Sequence, residues 1–421
     1  MHNLMNVKYD NLRKLTINLL IIYLVSTVFE RQAGLSFISS VGIYAFLVVG
    51  LFYICLKSNI TGIGNTQFTV RAILCIFAVV SLIWIPEEIR SRANSYCWRF
   101  FTSVVIAFIV GNIVYSQRDV KKILFGFCLA GAFLSLNFYI TYGSEIMTLA
   151  QKVEAAERMG QEYGNVNEVA QRCMFAFIIS IYYGFFNKNC TKKMKYLAIV
   201  NTVVCFSVIM FTGSKRALLV IVATIIVMFF KNADSGSTRG RIGVILKGLV
   251  AVLLILYLIM NVPMFAGFKE RFEVFFQTLG GNITDESGSD LNRIRYITEG
   301  FNYFKNNILF GGGICYSLSM FGTYAHNNYI EMLINFGLVG FVIYYYGYVS
   351  NFIKMRKLQG SRFDEVKNLF FVLMIAIMLV DVGVVSYYER YMCIILSLIS
   401  TYFSNKAYER DEIERLDENV L

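Results

Sequence analysis

Histidine, proline and tryptophan each occur only twice in 421 residues, and charged residues make up only 16% of the chain. Each shortage excludes something. Two imidazoles, His2 and His326, cannot build a histidine-rich metal site. The nine cysteines are scattered singly without a CxxC pair, so they read as small apolar packing residues rather than as a thiolate cage or a redox dithiol. Sparse proline leaves helices free to run without breaks. There is no GxxxxGK[ST] loop, no GxGxxG opening a helix, no low-complexity tract and no internal repeat, which argues against an ATP-driven pump. Soluble globular chains carry roughly 25% charge; this one has too little polar surface to dissolve.

What is abundant is apolar residues, 57% of the chain, with a mean hydropathy of +0.56. They come in long runs rather than in the alternation a membrane barrel would show, so the expected fold is all-α, a polytopic transmembrane bundle. A helix of ~20 apolar residues crosses the bilayer while satisfying its own backbone hydrogen bonds. About twelve such runs can be drawn, from Leu15–Phe29 to Tyr391–Phe403. The first lacks a small-residue cleavage site and reads as an anchor. This divides the chain into a membrane domain at 1–262, a large extracytoplasmic loop at 263–325, a second membrane portion at 326–403 and a cytoplasmic tail at 404–421.

Basic residues flanking the spans mark the cytoplasmic side. With Lys8, Arg13 and Lys14 inside, every second connection is basic, including Arg118/Lys121/Lys122, Lys192/Lys193/Lys195 and Lys354/Arg356/Lys357. Both termini are then cytoplasmic. The net charge of +11 reports orientation and contact with lipid headgroups, and nucleic acid is not an expected partner.

Three segments fall on the outer face. Thr212-Gly-Ser-Lys-Arg-Ala-Leu-Leu219 puts Lys215 and Arg216 at the start of a helix, where free N–H groups already carry partial positive charge. The pair either binds an anion such as a diphosphate or snorkels to headgroup phosphates. The long loop carries Ile294, Ile297, Phe301 and Phe304 at helical spacing, predicting an amphipathic helix over 291–305 that Gly311–Gly313 closes. Arg293 and Arg295 diverge by about 200° on such a helix, so at most one faces a given pocket. His326 stands where the loop re-enters the membrane and can take a proton near neutral pH, or it caps a helix. Asn327 and Glu331 share a helical face beside it. Gly337 and Gly340 read as aids to close helix packing. The third segment is Gly164-Asn-Val-Asn-Glu-Val-Ala170, with Asn167 as a secondary candidate.

In their order and sidedness these segments resemble the bacterial O-antigen polymerase and O-antigen ligase family. The likeness rests on Thr212–Leu219, on Arg293 with Gly300 and Asn306-Asn-Ile-Leu-Phe-Gly-Gly-Gly313, on His326-Asn-Asn-Tyr-Ile-Glu331 through Gly340, and on Gly164–Asn167. Lys215 stands where that family usually has arginine, with Arg216 one place later, and Asn307 where proline is common. The resemblance implies a glycan repeat unit linked through diphosphate to undecaprenol, in the bacterial cytoplasmic membrane. It implies metal-independent glycosyl transfer without a cofactor, nucleotide sugar or ATP, with inversion at the anomeric carbon. Lys215, Arg216 and Arg293 would neutralise the diphosphate, and His326 would act as base or as donor to a phosphate oxygen. Arg295, Asn327, Glu331 and Asn167 are secondary site candidates. The acceptor would be another repeat unit for a polymerase, or a different molecule for a ligase. Richness in Ile, Asn, Lys, Tyr and Phe suggests a low-GC genome, where a capsule or exopolysaccharide polymerase is the natural member. A chain-length regulator and other pathway proteins would be partners, besides membrane lipids. A transporter or flippase would instead place ionisable groups in mid-span, for which Arg172 and Asp381 are the candidates.

Overall fold

The computed structural model describes residues 2–32, 34–57, 60, 64–146, 148, 159–187, 190–232, 238–262, 265–279, 288–357 and 364–404. The acidic tail beyond 404, Lys188 and Arg362 lie outside these. The described residues form helices and turns, with no strand. In order they are α1 His2–Ser26, α2 Ser36–Leu56, α3 Thr66–Ser81, α4 Glu87–Ile113, α5 Gln117–Tyr142, α6 Val166–Ile181, α7 Lys192–Phe211, α8 Lys215–Asn232 and α9 Thr238–Asn261. The large loop adds α10 Ala266–Leu279, α11 Gly288–Asn306 and α12 Tyr316–Phe321. Then come α13 Asn328–Lys357, α14 Asp364–Asp381 and α15 Arg390–Ser404.

A helix lies over each of the twelve apolar runs. Among the described residues, seven helices (α1, α2, α4, α5, α6, α7 and α13) are long and apolar enough to cross a membrane; α3, part of α9 and α15 are apolar but shorter. This is a multi-pass membrane protein. The short α15 is possible because it does not meet lipid: every residue from Tyr391 to Phe403 is buried. Its Ser397 and Thr401 reach protein partners, and Asn65 donates to both. A helix wrapped by protein need not match the hydrocarbon thickness.

Contacts between connections mark two ends of the bundle. At one end Arg13 pairs with Asp119 at 2.5 Å, and Lys354 donates to Thr66 and Ser404 at 2.7 and 2.8 Å. The other, loop end carries the 263–325 segment and all three segments that the sequence singled out. Here Ile314 N–H donates to Ser81 Oγ at 2.9 Å, seating the loop on the outermost turn of α3.

α4 extends farther at this end than the apolar run from Cys97 predicts. Pro86 precedes it, and Glu87 and Glu88 occupy its first turn, where acidic side chains suit the helix dipole. The ten added residues raise a polar wall carrying Arg90 and Arg92, with Arg99 at its foot.

α13 is not one continuous helix. Gly337 has φ 60° and ψ −162°, which breaks the backbone inside the span. The broken ends are closed by the glycine run: Gly312 and Gly313 N–H donate to Ile334 and Asn335 C=O at 2.8 Å each. In return Leu338 and Val339 N–H donate to Ile308 and Leu309 C=O at 2.7 and 3.2 Å. Non-helical backbone at membrane depth is tolerated when protein satisfies it in this way. Gly337 thus does more than permit close packing. A Cβ there would lie 2.4 Å from Leu309 O, and one at Gly311 2.5 Å from Ile334 O.

Candidate active site

Three helix starts converge at the loop end. Asn165 caps α6, its Oδ1 accepting from Asn167 N–H at 3.0 Å. Ser214 C=O opens α8 by accepting from Leu218 N–H, after Gly213 turns the chain at φ 63°. Asn327 caps α13, its Oδ1 accepting from Ile330 N–H at 3.0 Å. Each start offers free N–H groups and partial positive charge, the electrostatics an anion requires. They are tied to one another. Ser214 Oγ donates to Asn167 Oδ1 at 3.5 Å. Adjacent carbonyls of the α14–α15 connector join the other two: Val382 C=O accepts from Asn327 Nδ2 at 3.1 Å, and Gly383 C=O from Arg216 Nη1 at 2.5 Å.

His326 lies between these starts in the left-handed backbone region, φ 54°, where non-glycine residues are uncommon and carry strain. Its ring lies 4.1 Å from Tyr324 and 6.2 Å from Tyr296, the latter nearly parallel at 9°. Burial, followed by the positive charges of Arg293 and Arg216, pushes the imidazole down to about 4. His326 is therefore neutral at physiological pH and faces two guanidiniums.

This placement sorts the sequence candidates. The amphipathic helix predicted at 291–305 is α11, Gly288–Asn306, which ends before the glycine run rather than at it. Arg293 faces His326. Arg295, diverging as the spacing required, is exposed, pairs with Glu299 at 3.4 Å and lies over the Tyr296 ring at 5.5 Å. Of the adjacent cations, Arg216 is the one whose charge acts on His326; Lys215 is half-buried on the same first turn of α8. Asn167 and Asn327 hold the helix starts together.

Glu331 is buried inside the loop seat. Its Oε1 accepts from Ser317 Oγ at 2.6 Å and Asn335 Nδ2 at 3.1 Å, and its Oε2 from Ala325 N–H at 2.7 Å. A carboxylate held by three donors fixes the segment that carries Tyr324 and His326. Asp381 plays a similar part in the connector, accepting from Ser386 Oγ, Tyr345 Oη and Asn328 Nδ2. Arg172 lies near the loop end, paired with Glu30 at 2.6 Å.

Sequence reading missed the groups around Arg172. Arg31 pairs with Glu168 at 2.6 Å, and Glu389 and Arg99 share the field of this cluster. These contacts join residues more than a hundred positions apart, so spacing could not reveal them. The one local signal was Glu168 four places before Arg172 in a helix that carries no other charge. Among the described residues, no group of three or more His, Cys, Asp or Glu side chains could hold a metal ion.

Fold and site together define a multi-pass membrane protein with a cationic cluster, around a neutral histidine, where several helices begin. Residues 200–345, from within α7 to within α13, match the family model described as O-antigen ligase. That match supports the resemblance to the O-antigen polymerase and ligase family seen in the sequence. The family performs glycosyl transfer and acts on lipid-linked glycans. A comparison with curated proteins found no match.

Proposed function

We propose that this protein polymerises undecaprenyl-diphosphate-linked oligosaccharide repeat units at the extracytoplasmic face, for a capsule, exopolysaccharide or O-antigen. The observation that carries the reading is the pairing of Arg293 and Arg216 around a neutral His326, at converging helix starts, in a family that acts on lipid-linked glycans. In this reading the donor diphosphate lies against Arg216, Arg293 and Lys215. Charge-assisted hydrogen bonds there stabilise the negative charge that grows as the leaving group departs. The acceptor hydroxyl oxygen attacks the anomeric carbon from the opposite face. Its proton passes to the neutral imidazole of His326, the new C–O bond forms, and the bond to the diphosphate breaks with its electron pair leaving on undecaprenyl diphosphate. Inversion follows from the single displacement.

Beyond burial, it is the charges of Arg293 and Arg216 that depress the basicity of His326. A bound diphosphate offsets Arg293 and Arg216, so the imidazole becomes a better base once donor is present. Substrate binding thereby arms the base. The chemistry-bearing groups gather at one end of the bundle, which favours transfer over translocation.

The test is purified protein in nanodiscs supplied with the lipid-linked repeat unit, scored for longer glycan chains and free undecaprenyl diphosphate. Chain growth is expected. Transfer only to a non-repeat acceptor would make the protein a ligase, and lipid movement across the bilayer without chain growth would make it a flippase.

A further inference from the structure

Beside the cationic cluster lies a second charged cluster that the reaction above does not use. It draws on four elements. The α1–α2 turn gives Glu30 and Arg31, α6 gives Glu168 and Arg172, α4 gives Arg99, and the α14–α15 connector gives Glu389 just before Arg390. Two of its three carboxylates are in ion pairs, Glu30 with Arg172 and Glu168 with Arg31. The third is not. Among the described residues no hydrogen bond or ion pair is made to the Glu389 carboxylate, which keeps partial contact with solvent. It lies within electrostatic reach of Glu168, Glu30, Arg99 and Arg172. Its neighbour Tyr388 meets Tyr96 edge-on at 4.7 Å, and the exposed Arg99 lies over both rings at 5.8 and 5.2 Å.

We propose that this cluster is the subsite for the acceptor saccharide, with Glu389 and Arg99 binding its hydroxyl groups; the assignment rests on the glycosyl-transfer reading. Sugar hydroxyls are neutral and both donate and accept hydrogen bonds. A site for them needs carboxylates and guanidiniums together. In this cluster Arg172 and Arg31 are already engaged by carboxylates, whereas the Arg216–Arg293 side presents its cations to a diphosphate. The two halves thus differ in the charge they accept, which keeps donor and acceptor from exchanging places.

Continuity with the cationic cluster supports the assignment. Glu168 follows Asn167, whose Oδ1 meets Ser214 at the head of α8. Asn165 Nδ2 donates to Glu168 Oε1 at 3.4 Å, and the Asn165 side chain faces the Tyr324 hydroxyl. Tyr324 in turn packs on His326. Glu168, Asn165 and Tyr324 thus connect this cluster to the imidazole that receives the acceptor's proton. The carboxyl of Glu389 is also poised: burial, then the like charges of Glu168 and Glu30, push it up to about 7. Burial also works to raise Glu30, but Arg172 and Arg390 outweigh it and hold that carboxyl below the usual range.

Two binding probes test the assignment on full-length protein in nanodiscs. One is undecaprenyl diphosphate; the other is the soluble oligosaccharide that mild acid releases from the lipid-linked repeat unit of the same cells. Glu389→Gln keeps the side-chain shape and removes no ion pair. Arg99→Ala alters an exposed residue and carries the test if the first variant unfolds. Each is expected to weaken oligosaccharide binding at least tenfold while leaving undecaprenyl diphosphate binding within twofold. Oligosaccharide binding unchanged in a folded variant would overturn the subsite and leave the donor site standing. Wild-type protein that binds neither probe would overturn the glycosyl-transfer reading itself.

Discussion

The Tyr324 ring sits 4.1 Å from the His326 imidazole at 45°, so the only histidine at the loop end is walled by an aromatic face on the same short segment. With Arg293 and Arg216 nearby, that wall leaves the proton few ways to be stabilised. Positive neighbours lower a histidine's affinity for protons, and removing them must raise it. Arg293→Ala and Arg216→Ala should each move His326 upward from about 4 toward its ordinary range, as should saturating undecaprenyl diphosphate. With only His2 as a second imidazole, nitrogen NMR on a His2→Gln background reads the shift directly. A fall in either variant would refute the electrostatic account.

The same shift fixes a pH dependence. Between the ordinary value and about 4 the unfolded chain binds more protons at this position than the folded one, so stability contributed here falls as pH drops through that window. In kinetics, the acid limb of kcat/KM reports the free protein and should lie lower than the acid limb of kcat, which reports the donor-loaded site. Coincident limbs would mean that bound diphosphate does not act on His326.

Arg293 and Arg295 should separate sharply in assays despite their closeness in sequence. Arg293→Ala should lower kcat/KM by about 100-fold, the scale expected for a lost charge-stabilising donor. Arg295→Ala removes an exposed pair with Glu299, worth at most ~1 kcal/mol, and should leave turnover near wild type. Comparable losses from both would contradict the orientation of α11.

Glu331 is expected to act on stability before activity. Removing a buried carboxylate that holds Ser317, Asn335 and Ala325 leaves those donors unpaired, a cost of roughly 3 kcal/mol or more. Thermal unfolding in detergent should show a clear loss of Tm for Glu331→Ala. An unchanged Tm with lost activity would point to contact with substrate.

Sidedness has a chemical check. In a Cys55→Ser background, Ser289→Cys should react with an impermeant thiol reagent added outside intact cells, and Lys193→Cys should react only after the membrane is opened. The reverse pattern would invert the topology.

Much of this molecule could be read in advance, for local reasons. Apolar runs gave helices, the spacing of Ile294, Ile297, Phe301 and Phe304 gave α11, and its period separated Arg293 from Arg295. Other features were invisible because they depend on distant partners. α4 begins ten residues before the apolar stretch that starts at Cys97, because hydropathy marks where lipid starts, not where the helix does. Gly337 read as a packing residue because nothing near it in sequence announces that Ile308–Gly313 takes over its backbone bonds. The cluster at Glu389 was missed for the same reason: its members come from four separate elements. Whether Lys215 or Arg216 meets the diphosphate was likewise not legible, because the bond that anchors Arg216 to Gly383 joins residues far apart in the chain.

The break at Gly337 also bears on how the protein is made. Ile308–Gly313 precedes Ile334–Val339 in the chain, so translation delivers the partners before the groups that need them. As α13 emerges, the bonds that will close its interruption are already waiting at the membrane. The half-helix after Gly337 then need not lie in lipid with bare N–H groups, a state that costs several kcal/mol per unsatisfied group. The order of synthesis thus suits a span whose interrupted backbone takes its partners from outside its own helix.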